Sequence, residues 1–243
     1  MAKYKVLVID DEKPTLGMFE LFLKVYGYDV LLAENGAQGL QIFETEAPDI
    51  VFTDIKMPGM DGFEVLDRIK GRCPDTEVIV ITGHGDMDLA VEALNHEATD
   101  FINKPISRTA LDAALQRAVE RLNSAKEDTA VAATRQEDDF QVIDIIGNIN
   151  AASEKELIAI FALGAAEQKN RILLRFHDNT TINGAGIAVL IQLLAECKKQ
   201  GKKVAITGIT ENFKQIFDMV GISHLARIFS ADHEARASLL QVD

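Results

Sequence analysis

The stretch KVLVIDD, residues 5–11, decides the fold class. Val6, Leu7, Val8 and Ile9 are consecutive apolar residues with no polar alternate. Such a run reads as a strand buried on both faces, the habit of parallel sheets covered by helices. Two carboxylates, Asp10 and Asp11, follow at once. Working outward, short apolar runs recur at residues 30–32, 50–52, 78–81 and 101–102, five strands in all. Helical spacing fills the gaps, as in Met18, Leu21, Phe22 and Val25, and Pro14 sits early in the first helix, where its missing N–H costs little. Alternating strands and helices with short connections predict an α/β unit, a parallel sheet with helices on both faces.

The strand ends carry the chemistry. Asp10 and Asp11 close the first run, Asp54 the third, Thr82 the fourth, and Lys104 the fifth. In a parallel α/β sheet these ends line one edge, where ligand sites form at the topological switch point. Three crowded carboxylates repel one another unless a cation sits among them, and an oxygen-only ligand set suits Mg²⁺. A carboxylate beside Mg²⁺, with a hydroxyl and an ammonium nearby, is equipped to accept a phosphoryl group and hold it.

Composition sets limits. The 243 residues have room for two domains of ordinary size. An apolar fraction of 47% predicts a globular chain, and a net charge of −13 is a poor match to a nucleic acid, usually met by a basic face. The two cysteines, Cys73 and Cys197, fall one in each half, which points to a reduced compartment rather than a disulfide framework. No apolar stretch approaches the roughly 20 residues that span a bilayer, and the N-terminus leads straight into a strand. The expectation is a cytoplasmic protein with no membrane segment.

A fifth helix is predicted from Ser107, its N-cap, with a stripe at Leu111, Leu115, Ala118 and Leu122. Residues 123–139 are charged and small, with Val131 the single sizeable apolar side chain. They read as a polar, partly helical linker. A continuation of the stripe through Ala125 and Ala132 leaves a homodimer seam open, against a one-sided linker helix. A second unit occupies 140–243. Its strands are expected at 142–146, 172–176 and 204–207. Helices are expected at 153–168, with Ser153 and Glu156 in capping-box spacing, along Ile187, Leu190, Ile191, Leu194 and Cys197 up to Gly201, from Glu211, and near Ala231.

Residues 1–122 resemble a bacterial response-regulator receiver domain. The likeness is carried by KVLVIDD, by DIKMPGMDG at 54–62, by Ile81-Thr82-Gly83 and by DFINKP at 100–105. It implies a flavodoxin-like, doubly wound five-stranded sheet. Asp54 is then the phosphoacceptor. Asp11, Asp54 and the Lys56 backbone carbonyl hold Mg²⁺, with Asp10 acting through water. Lys104 binds a phosphoryl oxygen across a cis Lys104-Pro105 bond, Thr82 donates its hydroxyl to the phosphate, and Phe101 follows inward as a steric switch. Lys56 and His84 flank the route of an attacking water and are expected to tune phosphoryl lifetime. Gly59 and Gly62 are read as turn glycines, and Glu97 stands where the family usually has glycine, predicting a left-handed conformation. His96, His177, His224 and His233 lack metal-ligand spacing and read as structural or surface residues.

Residues 140–243 resemble a STAS domain, the module of anti-sigma factor antagonists, through GNINA at 147–151, ILLRFHDNTTINGAG at 172–186, KKVAITG at 202–208 and residues 213–225. The family's phosphoserine motif, Asp-Ser-Ser/Thr-Gly, is replaced by Asn183, Gly184, Ala185 and Gly186. Glycine has no oxygen to phosphorylate. Thr180 and Thr181 lie upstream and are poor substitutes. The resemblance implies a response regulator of a phosphorelay, phosphorylated by a sensor histidine kinase, whose output binds an anti-sigma factor or kinase-fold regulator. The alternatives are a scaffolding or ligand-sensing STAS protein and a phosphatase of the haloacid dehalogenase type. The latter needs a second acid two positions after the first, whereas Asp10 and Asp11 are adjacent and Glu12 belongs to a different pattern. No basic recognition helix is visible for DNA.

Overall fold

In a computed structural model that describes residues 4–83, 86–124, 132–137, 139–163, 170–177 and 180–241, the chain divides into two compact units, 1–127 and 128–243. The first alternates β1 (Lys5–Ile9), α1 (Lys13–Val25), β2 (Asp29–Ala33), α2 (Gly36–Glu46), β3 (Ile50–Asp54), α3 (Gly62–Arg72), β4 (Glu77–Thr82), α4 (Met87–Asn95), β5 (Asp100–Asn103) and α5 (Arg108–Ser124). The strands run parallel in the order β2-β1-β3-β4-β5. Chain order reverses between β1 and β3, which opens the crevice where Asp10, Asp11 and Asp54 stand. Strands β3 and β4 are buried along their whole length, as their apolar runs at residues 50–52 and 78–81 require. Ser107 caps α5 through a hydrogen bond from Ala110 N at 3.1 Å. That helix is tied to the opposite strand ends by two ion pairs, a buried one from Arg117 to Asp100 and a part-buried one from Arg121 to Glu77. Burial pushes the Asp100 carboxyl up despite that partner.

The second unit contains β6 (Ala132–Glu137), β7 (Phe140–Ile145), β8 (Asn148–Ile149), α6 (Glu154–Leu163), β9 (Arg171–Phe176), β10 (Thr181–Ile182), α7 (Gly184–Lys199), β11 (Lys203–Thr207), α8 (Glu211–Met219), β12 (Arg227–Ile228) and α9 (Asp232–Leu240). Its main sheet has the order β12-β11-β9-β7-β6, with β6 alone antiparallel, and β8 and β10 form a separate two-stranded pair. Phe140, Val142, Leu173 and Ala205 pack under Ala235 and Leu239 of α9. At the C-terminal strand ends this face becomes polar. Arg175 bridges Asp144 (2.6 Å) and Asp232 (3.1 Å), Thr207 donates to Asp232 at 2.7 Å, and Arg135 reaches Asp144.

Several expectations are corrected. Residues 132–137, read as linker, form β6 at the sheet edge. A polar, small-residue sequence suits an edge strand, which must resist pairing with other chains, and so it lacks an apolar alternation. The Ser153–Glu156 capping box does not form. Ser153 Oγ accepts from Asn150 N and donates to Asn148 O, while Glu156 Oε1 accepts from Ala132 N at 3.4 Å. Gly59 is a turn glycine (φ 84°), but Gly62 is not. It opens α3, and a Cβ there would stand 2.3 Å from Asp54 O. Glu97 is left-handed as expected, with φ 65°. Ala125, Val131 and the helix end at 164–168 lie outside the described residues.

Candidate functional site

The pocket at the β1/β3 crevice assembles from four strand ends. Asp10 and Asp11 follow β1, Asp54 ends β3, Thr82 ends β4, and Lys104 follows β5. Asp10, Asp11 and Asp54 each offer a carboxylate oxygen within 4.8 Å of the others. Asp10 and Asp54 are buried and Asp11 is exposed, so the cluster has a closed floor and an open mouth. The Lys104 ammonium lies 2.9 Å from Asp54 Oδ2, 3.1 Å from Asp10 Oδ2 and 3.0 Å from Glu12 Oε2. The Lys104-Pro105 bond is cis.

One ammonium faces four carboxylates here, counting Glu12. Burial pushes the Asp10 carboxyl above its ordinary value, although the Glu12 N–H and Lys104 pull the other way. Burial would lower Lys104, but its hydrogen bonds to Asp54 and Glu12 outweigh that and raise it. Glu12 is lowered by Lys104. Asp10 Oδ1 accepts from Glu12 N at 2.8 Å, whereas its Oδ2 is buried and has no aligned hydrogen-bond donor among the described residues. The Lys104 ammonium, 3.1 Å from that oxygen, does not balance the acids gathered here, and a divalent cation would offset the remaining charge. The all-oxygen donor set therefore fits Mg²⁺.

Thr82 is buried, and its hydroxyl donates to Asn103 Oδ1 at 2.7 Å across the β4–β5 ladder, where the two residues are paired. Phe101 is fully buried. Lys56 is surface-lying, and its ammonium bonds Asp86 Oδ2 at 2.6 Å, joining the β3–α3 loop to the start of α4. His84 lies outside the described residues. His96 and His177 meet single carboxylates, Asp67 at 2.6 Å and Asp144 at 3.3 Å. Glu12, Asn103 and Asp86 were missed from sequence. The adjacent acid run at 10–12 was the one signal for Glu12, while Asn103 and Asp86 carried none.

The second unit's motif is closed. Asn183 caps α7 by accepting from Gly186 N at 2.9 Å. A Cβ at Gly186 would stand 2.2 Å from Ile149 O, so the helix start is pressed against β8. The buried Thr180 and Thr181 hydroxyls donate to Ile145 O (2.8 Å) and Asn148 Oδ1 (2.9 Å).

Comparison with known proteins agrees with this geometry. Residues 6–116 match the model of the response regulator receiver domain, and residues 131–235 match that of the STAS domain. The chain is 34% identical over 169 residues to the transcriptional regulatory protein FixJ of Rhizobium meliloti, covering 68% of this chain and 76% of that one. It is 32% identical over 178 residues to the DNA-binding transcriptional regulator NtrC of Escherichia coli (strain K12), covering 65% of this chain but only 38% of that one. A crystal structure of a response regulator receiver domain protein from Clostridium thermocellum is 37% identical, with a TM-score of 0.47, and covers 51% of this chain and 97% of that one. The chain belongs to the response regulators, with a receiver domain followed by a STAS domain. Both are regulatory families, and receivers generally bind Mg²⁺ in an acidic pocket of this kind. No helix among the described residues is long and apolar enough to cross a membrane.

Proposed function

We propose that this response regulator takes a phosphoryl group from a sensor histidine kinase onto Asp54 and uses it to gate protein binding by its STAS domain. The observation that carries this reading is the Asp54 carboxylate, buried at the crevice floor, 2.9 Å from the Lys104 ammonium and clustered with the Asp10 and Asp11 carboxylates. Asp11, Asp54 and the Lys56 carbonyl would hold Mg²⁺, with Asp10 behind a water. When bound, the ion neutralises charge on the transferring phosphoryl oxygens. An Asp54 oxygen attacks phosphorus in line, the P–N bond to the kinase imidazole breaks, and that nitrogen keeps the electron pair and takes up a proton. Lys104 moves its hydrogen bond from Asp54 to a phosphoryl oxygen. Thr82 exchanges Asn103 for another. Phe101 and the last receiver helix respond to that exchange.

The STAS loop at 183–186 has no hydroxyl to modify and no vacancy to fill, so we place the switch on Asp54 and leave the output unmodified. Its partner would be an anti-sigma factor or a related kinase-fold regulator, and the chain would catalyse no turnover beyond loss of its own phosphoryl group. Acetyl phosphate with Mg²⁺ should add one phosphoryl group to the full chain, detected by mass spectrometry, and none to Asp54→Asn. An unmodified wild-type protein would refute the reading. Beryllofluoride should change the affinity for a partner captured by pull-down, and equal affinities would refute the gating alone.

A further inference from the structure

The STAS unit has a concavity with a basic rim. A cleft of about 450 Å³ opens at the far end of β11, where the C-termini of α7 and α9 meet the turn at Ser223-His224. That volume falls within the usual range for small-molecule pockets, roughly 300–1,000 Å³. Its rim is formed by Lys198, Lys202, Lys203 and Arg227, and no carboxylate lines it among the described residues. In a chain of net charge −13 such an all-basic lining is out of keeping with the rest of the surface.

Among the described residues, Lys198, Lys202 and Arg227 make no ion pair that would explain them. Lys198 Nζ donates to the backbone oxygen of His224 at 3.0 Å, and an Arg227 guanidinium nitrogen donates to Ser238 Oγ at 3.3 Å. Both partners are neutral, and each cation keeps further N–H groups free, since an ammonium has three and a guanidinium five. The half-buried Lys202 donates its backbone N–H to Cys197 O at 2.9 Å, and its ammonium makes no hydrogen bond or ion pair among the described residues. Lys203 donates to Gln241 O at 2.9 Å. The C-termini of α7 and α9 contribute about half a negative charge each. Setting Lys203 aside, that leaves about two uncompensated positive charges facing one concavity. Val204, Ala205 and Leu239 form an apolar floor beneath them.

We infer that this cleft binds a small polyanion carrying two or more phosphate groups. Nucleoside diphosphates and inorganic polyphosphate share that chemistry. One phosphate is held between Lys202 and Arg227, the next by Lys198, and a base, where present, lies on the apolar floor. The test is titration calorimetry of the full chain in EDTA, with inorganic tripolyphosphate, ADP, GDP and orthophosphate as probes. Saturable 1:1 binding of tripolyphosphate or a nucleoside diphosphate is expected, weakening by about tenfold between low and physiological salt as the charges are screened. Lys202→Glu should weaken it at least tenfold, and Lys198→Glu similarly, with melting temperatures unchanged. Tighter binding of a nucleotide than of tripolyphosphate identifies the floor as a base site, and the reverse identifies free polyphosphate. No binding at low salt, binding of orthophosphate as tight as that of tripolyphosphate, or variants that bind as wild type would overturn the inference.

Discussion

The receiver pocket and the STAS loop at 183–186 are built from the same parts and reach opposite ends. Each sits beside a strand end and a helix start, and in each a glycine lets that helix approach a strand carbonyl, Gly62 at Asp54 O and Gly186 at Ile149 O. In the STAS loop the Gly186 N–H and the Thr180 and Thr181 hydroxyls are satisfied within the protein, by Asn183, Ile145 and Asn148. In the receiver three acids, Asp10, Glu12 and Asp54, share one ammonium, with Asp11 close by. The close backbone packing is therefore structural in both, and the unsatisfied electrostatics separate a reacting site from a closed one.

The largest effect should come from removing Lys104, the cation that meets Asp54. Lys104→Ala is expected to slow phosphoryl uptake from acetyl phosphate by about 10²-fold, the usual loss when a preorganised donor to a developing charge is deleted. Asn183→Ala should leave uptake untouched. Equal rates for Lys104→Ala and wild type would mean that the ammonium only balances charge at rest. The shared glycine device gives the next test. Gly62→Ala and Gly186→Ala each force a Cβ against a backbone oxygen and should each lower stability by about 3 kcal/mol, read by urea denaturation. Gly62→Ala should also impair phosphorylation, because Asp54 itself carries the displaced carbonyl. Two variants with intact phosphorylation would show that the receiver backbone can yield without moving its acceptor.

Much of this was legible in the sequence for a simple reason. Asp10, Asp11, Asp54, Thr82 and Lys104 each terminate an apolar run, and parallel strands bring their ends together whatever the helices do. Glu12 and Asn103 carry no such mark. Glu12 meets Lys104 across 92 positions, through side-chain reach rather than strand register. Asn103 is paired with Thr82 by register, but only the fold shows that its amide accepts the hydroxyl. Strand β6 was hidden because an edge strand rich in polar residues has the composition of a linker. Gly62 was read as a turn because sequence does not distinguish a glycine needed for φ from one needed for space.

The STAS unit has its own charged centre, and its pH response should differ from that of an open acidic pocket. Burial alone would raise the Asp144 carboxyl, but hydrogen bonds from Arg175 and His177, with Arg135 nearby, outweigh it and hold the group below its ordinary value. A carboxyl depressed in the folded state stabilises above its unfolded pKa of 3.8, and that contribution is lost as pH falls through the folded value. Asp144→Asn should therefore cost about 2 kcal/mol at neutral pH. The gap to wild type should close progressively below about pH 4. A gap independent of pH would assign the loss to shape rather than charge.

The finest test concerns the hydrogen bond that a phosphoryl group must break. Thr82 Oγ1 donates to Asn103 Oδ1, so the hydroxyl is committed before any phosphate arrives. A neutral hydrogen bond contributes about 1 kcal/mol net, which corresponds to a factor of about five in an equilibrium constant. Asn103→Ala releases the hydroxyl and should tighten beryllofluoride binding by up to about fivefold. Thr82→Val removes the group for which the two acceptors compete. In that background Asn103→Ala should have no effect, so the two substitutions are coupled rather than additive. Additive effects would show that Asn103 acts through the nearby Lys104 and not through Thr82. The resting hydrogen bond would then be a bystander, and the distinction drawn here between an open pocket and a closed loop would rest on the carboxylates alone.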